Sequence, residues 1–320
     1  IMQKGQSLSD ITTRTIQGMD QVLNEAKPDL VLVHGDTSTT FAAALSAFYH
    51  KIMVGHVEAG LRTYDIYSPF PEEMNRTLTG DLAQMHFAPT KQNRKNLERE
   101  GVMGEIFVTG NTVIDAMKLT VRDDYKFTQQ QLRDIDFDGR RVILVTAHRR
   151  ENYGKPLENI MSAVKYIARS YPDIQFVYPV HLNPIVRKTA HEFLDGLDNV
   201  LLSEPLNVID MHNLMAKCYM VLTDSGGIQE EAPSLGKPVL VLRRETERPE
   251  AVEAGTVRLA GVEEERIIEL TKLLLDNPEE YKKMARAVNP YGDGRASERI
   301  AKAILWQFNK NRKRPEEFVI

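Results

Sequence analysis

The chain contains one cysteine, Cys218, among its 320 residues. A single thiol excludes an internal disulfide and any metal site built from several cysteines. No apolar stretch approaches the ~20 residues that a membrane-spanning helix needs, and the N-terminus does not resemble a signal peptide. These absences are typical of a cytoplasmic protein without a membrane partner.

The chain also lacks an excess of charge of either sign. Its 41 basic and 45 acidic residues leave a net charge of −4, which offers no field for wrapping nucleic acid or for docking on an acidic membrane. A small substrate is therefore favoured over a polymer. With 320 residues, of which 42% are hydrophobic, the chain is long enough for two domains, each with its own core.

Common cofactor fingerprints are missing as well. The sequence has no G-x-G-x-x-G, no P-loop, and no Tyr followed four residues later by Lys. These absences argue against an enzyme that oxidises a sugar with bound NAD. There is also no H-E-x-x-H or other paired-His spacing of the kind that holds catalytic zinc. We therefore expect neither a cofactor nor a metal.

What the sequence does contain is a regular alternation of short apolar runs with longer helical segments, such as residues 156–170 and 262–276. Runs that are apolar on both faces predict parallel sheets covered by helices, a doubly wound α/β architecture. A polar stretch at residues 121–139 separates two such series, so we place a domain boundary near residues 110–140. The predicted strands lie at residues 29–33, 53–57, 85–89, 105–110, 141–147, 174–180, 199–203, 219–225 and 238–242.

Carboxylates lie at or near the ends of the first two of these strands. In open parallel sheets, ligands bind beyond the carboxyl ends of the strands, and Asp36 follows a run that reads as a buried strand. A capping role without chemistry is an equal alternative for Asp36. His56 and Glu58 are two apart on the next strand and are expected to share a face. An ordinary core role is the commoner one for His56, whereas a buried Glu58 needs a partner.

A third acidic position lies in "YSPFPEEMNR", where Glu72 and Glu73 follow two prolines. The prolines predict a rigid loop rather than an ordinary solvated turn. A plain capped helix start is the alternative for this segment.

The second half of the chain carries a different chemistry. One strand runs directly into His148, and another runs into Ser225, Gly226 and Gly227 at a predicted helix start. Glycines there let a ligand approach the backbone, and free N–H groups attract phosphate, so we predict that these three residues hold a diphosphate through backbone N–H groups. Taken alone, a Ser-Gly-Gly turn is weak evidence.

Two glutamates follow the Ser-Gly-Gly turn on the same predicted helix. Of Glu230 and Glu231, one could be a solvated surface residue. A carboxylate beside a phosphate site suits ribose hydroxyls better than phosphate.

Taken together, these motifs closely resemble those of the bacterial non-hydrolysing UDP-N-acetylglucosamine 2-epimerases. The resemblance spans residues 34–256, and so nearly the whole chain. The matching segments, in chain order, are "HGDT", "GHVEAGLRT", "SPFPEEMNR", "TGNTVIDA", "HRREN", "YPVHLNP", "TDSGGIQEEAPSLGKPVLVLR" and "TERPEAVEAGT".

The resemblance implies a GT-B fold, in which two Rossmann-like domains face each other across a cleft. Residues 1–113 would form the first domain and residues 114–296 the UDP-binding second domain. A final helix at about residues 297–320 would pack back on the first. The family's opening strand, its "GTRPE"-type loop and its "QHR" segment have no counterpart here, so we expect that the first strands are missing from a truncated sequence.

The implied activity is the reversible conversion of UDP-GlcNAc to UDP-ManNAc, which supplies ManNAc for surface polysaccharides. Inverting C2 requires removing a proton that no carbonyl acidifies. Elimination of UDP to 2-acetamidoglucal, followed by re-addition, solves this without a cofactor. Such a mechanism needs carboxylates around the sugar and cations or N–H groups at the diphosphate.

Residue by residue, the resemblance puts Asp36, Glu58 and Glu72 in the family's carboxylate positions and His148 in its catalytic histidine position. His181 and Glu72 match positions near a site where a second UDP-GlcNAc acts as an activator. A homodimer is also expected. The residues that match the family's UDP site are Leu206 and Met211 near the uracil, Ser225, Gly226 and Gly227 at the diphosphate, Glu231 at the ribose, and Arg248.

One of these positions departs from the family pattern, because relatives often carry an aromatic residue where this chain has Met211. A thioether can still pack on a base, with less geometric definition. Two readings from other classes stay open. One is a GT-B glycosyltransferase that uses a UDP-sugar, and the other is a non-catalytic fragment that binds one. A hydrolysing 2-epimerase that releases free ManNAc is a near relative.

Overall fold

The computed structural model describes residues 5–310 and 313–319. The chain divides into two compact units. One contains the residues up to Asp115 together with those from Tyr291 onward, and the other is Ala116–Pro290. No helix in the described part of the chain combines the length and the hydropathy that a membrane span requires.

Helices and strands alternate along the first unit. The elements are α1 (Leu8–Ala26), β1 (Leu30–His34), α2 (Ser38–Tyr49), β2 (Met53–Val57), α3 (Glu72–Leu82), β3 (Met85–Ala88), α4 (Lys91–Glu100), β4 (Glu105–Val108) and α5 (Thr112–Thr120), which runs across the boundary between the units.

The second unit repeats this alternation. Its elements are α6 (Gln130–Arg133), β5 (Val142–Thr146), a 3₁₀ turn (Arg150–Asn152), α7 (Lys155–Ser170), β6 (Gln175–Pro179), α8 (Pro184–Leu194), β7 (Val200–Ser203), α9 (Val208–Lys217), β8 (Met220–Thr223), α10 (Ile228–Ser234), β9 (Val239–Val241), α11 (Pro249–Glu253), β10 (Val257–Leu259), α12 (Glu264–Asp276) and α13 (Pro278–Ala285). The chain then returns to the first unit with α14 (Ala296–Phe308).

The first sheet has four parallel strands in the order β1-β2-β3-β4. The register pairs His34 with Val57, so β1 and β2 end side by side and the residues that follow them emerge at one edge. β1 is the outer strand, and its Leu32 is 48% exposed. The prediction that this strand is fully buried is therefore wrong.

The core of the first unit is completed by its last helix. Ile300 and Ala303 of α14 pack with Met85, Phe87 and Phe107 of the sheet. The Trp306 ring also meets Phe107 edge-on, with the ring centroids 5.8 Å apart. Of the final helix predicted at about 297–320, residues 311, 312 and 320 lie outside the described residues, and the helix ends at Phe308.

The second sheet has six parallel strands in the order β10-β9-β8-β5-β6-β7. The chain builds outward from β5 to β7 and then continues on the other side of β5 with β8. The strand order therefore reverses between β5 and β8, whose ends align through the pair Thr146 and Thr223. Such a reversal opens a crevice at the carboxyl ends of the strands, where ligands of α/β proteins bind.

The predicted alternation of strands and helices is confirmed. All nine predicted strands are present as β1–β9, and the predicted helices at 156–170 and 262–276 correspond to α7 and α12. A tenth strand, β10, was not predicted. It has three residues, and the charged Arg258 interrupts its apolar pattern.

Candidate active site

Asp36 lies two residues beyond β1, in the turn to α2. Its Oδ2 accepts hydrogen bonds from Nε and Nη2 of Arg76 on α3, at 3.0 and 2.6 Å. The side chain of Thr37 caps α2 by accepting the N–H of Thr40 at 3.1 Å, so the capping role belongs to the neighbour of Asp36. The Asp36 side chain is 30% exposed. A cation thus fixes this carboxylate while part of it stays open to solvent.

Glu58 follows β2 with φ at +64°, in the left-handed region. A non-glycine residue there costs on the order of 1–2 kcal/mol and is enriched at functional sites. Its Oε1 accepts from Nδ2 of Asn111 and its Oε2 lies near Nε2 of His34, both at 3.4 Å. A Cβ built on Gly35 would lie 3.2 Å from Oε2. The Glu58 carboxylate therefore sits against the backbone that leads into Asp36.

His56 does not share a strand face with Glu58 as the spacing predicted, because the strand ends at Val57 and Glu58 turns away from it. The His56 ring is buried, and Nε2 is 2.8 Å from the carbonyl oxygen of Gly35. Burial lowers the pKa of His56 to about 3. His56 is a neutral core residue.

Glu72 is the first residue of α3 and is half-buried. Its neighbour Glu73 is buried and accepts the N–H groups of Thr63 and Tyr64, at 3.0 and 2.8 Å, and also Nη1 of Arg76, at 2.9 Å. Glu73 therefore anchors the loop before α3. In the described part of the chain no side chain caps α3, so Glu72 lies at a helix start where a carboxylate is favoured.

In the second unit, His148 follows β5 at the reversal of strand order. Its ring stacks on that of His181, in the loop after β6, with the centroids 5.4 Å apart and the planes at 13°. His181 is exposed, whereas His148 is half-buried. Burial lowers the pKa of His148, Asp224 opposes this shift, and His181 and Arg149 add to it. The imidazole of His148 is therefore mainly neutral near pH 7.

The turn after β8 differs in one respect from the predicted diphosphate site. The N–H of Ser225 donates to Oγ1 of Thr223 at 2.9 Å, and that oxygen is 2.6 Å from Oγ1 of Thr146. The Ser225 N–H is therefore engaged within the protein rather than free to meet an anion. Among the described residues, no partner accepts from the N–H groups of Gly226, Gly227 and Ile228. These consecutive donors are a suitable cradle for an anion.

Arg248 lies directly beneath this turn. A Cβ built on Gly226 would come within 2.6 Å of Nη1 of Arg248, so any side chain there would displace the buried guanidinium. The guanidinium is buried and donates to Oε1 of Glu230 at 2.5 Å and to Oε1 of Glu247 at 2.9 Å. The paired carboxylates hold the cation below the backbone.

Glu231 lies on α10, the helix that follows the turn after β8. Its side chain is 16% exposed, and Oε2 is 3.8 Å from Nε2 of His212. Burial, and next the charge of Glu230, raises the pKa of Glu231 to about 7. Burial also lowers the pKa of His212, whose Nδ1 is 2.7 Å from Oγ1 of Thr120. Neither Glu230 nor Glu231 is a solvated surface residue, so that alternative is wrong.

Leu206 and Met211 lie on either side of the start of α9, and both are half-buried. Asn207 caps this helix by accepting the N–H of Asp210 at 2.8 Å. The two apolar side chains are fixed by a capped helix and keep a surface on which a planar ring could pack.

Arg76, His212 and Asp224 also belong to the site, although no role was predicted for them. Arg76 follows Glu73 by three residues on a helix, a spacing that favours an ion pair. Asp224 follows an apolar strand just as Asp36 does, so the same signal was available for it. The proximity of His212 to Glu231 depends on the packing of α9 against α10, and no local pattern indicates it.

The described residues contain no cluster of three or more His, Cys, Asp or Glu side chains that could hold a metal ion. The polar groups around Asp36 and around Ser225 are instead paired with cations, backbone N–H groups and hydroxyls.

A comparison with known families agrees with this arrangement. A family model described as UDP-N-acetylglucosamine 2-epimerase matches residues 1–305. The chain belongs to this family. A UDP-N-acetylglucosamine 2-epimerase from Bacillus subtilis is 56% identical over 319 residues, which cover 99% of this chain and 83% of that protein.

Solved structures of UDP-N-acetylglucosamine 2-epimerases have the same fold. The S. aureus MnaA–UDP co-structure is 52% identical with a TM-score of 0.93, covering 98% of this chain and 85% of that one. The Neisseria meningitidis UDP-GlcNAc 2-epimerase bound to UDP-GlcNAc is 53% identical with a TM-score of 0.89, covering 95% of this chain and 84% of that one. The predicted GT-B fold and membership of the non-hydrolysing epimerase family are confirmed.

Proposed function

We propose that the protein interconverts UDP-GlcNAc and UDP-ManNAc by eliminating UDP to give 2-acetamidoglucal and adding it back, and that the reaction supplies ManNAc for cell-surface polysaccharide. The observation that carries the proposal is the placement of Asp36 and Glu58 at adjacent strand ends, with the Glu58 carboxylate against Gly35. The UDP and UDP-GlcNAc bound to the S. aureus and N. meningitidis relatives support this substrate class.

The chemistry explains why carboxylates are needed. A base takes the C2 proton while the C1–O bond breaks, and UDP leaves with the electrons of that bond. A C1=C2 double bond forms, and the sugar passes through an oxocarbenium-like state with positive charge near C1. Re-addition of UDP with protonation at the other face of C2 gives the epimer, so no redox step is required.

In the first unit, Asp36, Glu58 and Glu72 would transfer protons and stabilise the developing positive charge. Arg76 keeps Asp36 in place through two hydrogen bonds to one oxygen. The left-handed backbone of Glu58 aims its carboxylate toward the same turn.

In the second unit, UDP would be held mainly by backbone and buried groups. The N–H groups of Gly226 and Gly227 and the Ser225 hydroxyl would bind the diphosphate, and Glu231 the ribose hydroxyls. Leu206 and Met211 would pack on the uracil. Arg248 would act from beneath the turn, as a buried positive charge near the diphosphate.

His148 would exchange a proton with the departing or returning diphosphate. It follows β5 next to the reversal of strand order, beside the turn that would hold the diphosphate. A mainly neutral imidazole can accept and release a proton near pH 7.

The proposal extends to regulation and assembly. His181, with Glu72, would contribute to a site for a second UDP-GlcNAc that activates the enzyme, and the protein would work as a homodimer. Sedimentation velocity tests the dimer. Adding trace UDP-GlcNAc to the reaction that starts from UDP-ManNAc tests the activator, since activation predicts a faster initial rate.

Proton NMR of UDP-GlcNAc with the protein in D2O tests the central proposal. We expect deuterium at C2 of both epimers, because elimination discards the original proton. Epimerisation with complete retention of the C2 hydrogen would overturn the mechanism. Free ManNAc as the main product would indicate a hydrolysing enzyme, and no reaction without an added acceptor would favour a glycosyltransferase. UDP binding without turnover would favour a binding protein.

A further inference from the structure

Asp224 is the most tightly bound carboxylate near His148. It follows β8 and its side chain is 0% exposed. Its Oδ2 accepts the N–H groups of His148 and Arg149, both at 2.8 Å, and Nδ2 of Asn152 at 3.0 Å. One oxygen of Asp224 therefore fixes the whole turn that carries His148.

The other oxygen of Asp224 is buried, and no hydrogen-bond partner reaches it among the described residues. A buried acceptor without a donor is costly. The group in reach is the His148 ring, whose Nδ1 lies 3.4 Å from Oδ1. A small rotation of the ring would turn this contact into a hydrogen bond, with Nδ1–H as the donor.

We propose that Asp224 is the positioning residue of His148, and that its Oδ1 keeps a proton on Nδ1 so that Nε2 is the nitrogen that exchanges protons. The catalytic use of Nε2 rests on the proposed function, whereas the tautomer itself does not. A neutral imidazole has one donor and one acceptor nitrogen, and the partner of one nitrogen decides the role of the other.

The other groups that face His148 are compatible with this assignment. His181 stacks on the face of the His148 ring, so it cannot form a hydrogen bond with Nδ1 in the plane of that ring. Nδ1 of His181 itself accepts the N–H of Asn183 at 3.1 Å. Arg149 is cationic and offers no acceptor to Nδ1. Tyr178 is buried, and its hydroxyl donates to the carbonyl oxygen of Ala147 at 2.6 Å. Among the described residues, Asp224 is the carboxylate that lies within reach of Nδ1.

The unmodified protein provides the first test. Nitrogen-15 NMR of the histidine side chains, with His148 assigned by its loss in His148→Gln, reports which ring nitrogen carries the proton. We expect the Nδ1–H tautomer for the neutral ring. A neutral His148 with its proton on Nε2 would overturn the proposal, and this readout needs no turnover.

Asp224→Asn provides the second test. The amide oxygen can still accept the N–H groups of the turn, but the amide NH2 would face Nδ1 and favour the opposite tautomer. We expect kcat to fall roughly 10- to 100-fold, the range typical of lost orienting partners, with KM and UDP affinity nearly unchanged. The pKa of His148 should also fall, because the neighbouring negative charge is removed.

Asp210→Asn is the matched control, because Asp210 is equally buried in the same unit but bonds Tyr125, Thr128 and Asn207 instead. It should leave the tautomer and pKa of His148 as in the parent protein. A folded Asp224→Asn protein with the parent's His148 tautomer, pKa and kcat would overturn the proposal. If the His148 tautomer and pKa behave as expected in both proteins but the parent has no epimerase activity, the proposed function is wrong and the role of Asp224 stands.

Discussion

Asp36 and Asp224 occupy equivalent places in the two units, since each follows a parallel strand at the carboxyl end of its sheet. Asp36 is held by the Arg76 side chain through one oxygen and is partly exposed. Asp224 is held by two backbone N–H groups and an amide, and it is fully buried. The same sequence pattern thus yields a carboxylate available to a ligand in one unit and a positioning carboxylate in the other.

The difference extends to the rest of each unit. The proposed catalytic groups of the first unit are side chains that stay partly open: a cation fixes Asp36, an unusual backbone conformation directs Glu58, and Glu72 begins a helix. The proposed UDP site of the second unit consists of backbone donors above a buried cluster of Arg248, Glu230 and Glu247. Side chains on loops suit proton transfer, whereas a rigid backbone cradle suits binding.

The largest expected effect is the loss of turnover when the carboxylates of the first unit are replaced. Asp36→Asn, Glu58→Gln and Glu72→Gln should each lower turnover by about 10² or more while leaving UDP affinity nearly intact. Turnover of UDP-GlcNAc and calorimetric titration of UDP measure the two quantities. Asp81→Asn, an exposed carboxylate on α3, is the control and should match the parent. A parallel loss of UDP binding would show that the carboxylates are structural.

The next largest effect concerns UDP binding by the second unit. Glu231→Ala should weaken UDP binding about ten- to a hundredfold, because a charge-assisted hydrogen bond to ribose is worth roughly 1.5–3 kcal/mol. Isothermal titration of UDP measures it, with Glu265→Ala, an exposed glutamate on α12, as the control. If Glu231→Ala binds UDP as tightly as the parent, the ribose must be placed elsewhere.

The pH dependence of UDP affinity sharpens the same point. The pKa of Glu231 is raised to about 7, so its carboxylate forms as pH rises through that value. UDP affinity should therefore increase between pH 6 and 8, by about tenfold at most. The free energy of unfolding should instead decrease as pH rises. The Glu231 carboxyl holds its proton more tightly in the folded protein than in the unfolded chain, so its contribution to stability is fully present below the ordinary pKa of a glutamate and is lost as pH rises through 7. Glu231→Gln should remove both trends, and persistence of either would assign it to another group.

The smallest expected effect tests the role of the turn after β8 in UDP binding. Since the Ser225 N–H is engaged by Thr223, Ser225→Ala removes only a hydroxyl, and we expect UDP affinity to fall about two- to tenfold. Thr223→Val, which removes the acceptor of that N–H, serves as the comparison. It should disturb the turn and weaken UDP binding more than Ser225→Ala does. Equal affinities in all three proteins would place the diphosphate away from this turn.

Local patterns predicted most of the fold. Short apolar runs were recognised as strands, while β10 was missed because Arg258 stands in the middle of its three residues. The exposure of Leu32 was not predicted, because an apolar run does not reveal whether its strand is central or at an edge.

Local patterns predicted less of the candidate site. They placed Asp36 and the Ser-Gly-Gly turn at strand ends, where the structure has them, but they placed Glu58 on the strand that it follows. They did not reveal that Glu230 pairs with Arg248, 18 residues away in sequence, or that Thr223 engages the Ser225 N–H. Both depend on how the strands align and how the loops pack, so they follow from tertiary contacts rather than from spacing.

Because α14 belongs to the first unit, the two units complete their cores at different stages of synthesis. Residues 116–290 form one continuous segment, which can complete its own core as soon as it has left the ribosome. The first sheet lacks the cover of Ile300 and Ala303 until the segment that follows residue 290 has been made. Until then Phe87 and Phe107 lack that cover, so the first unit completes its core after the second.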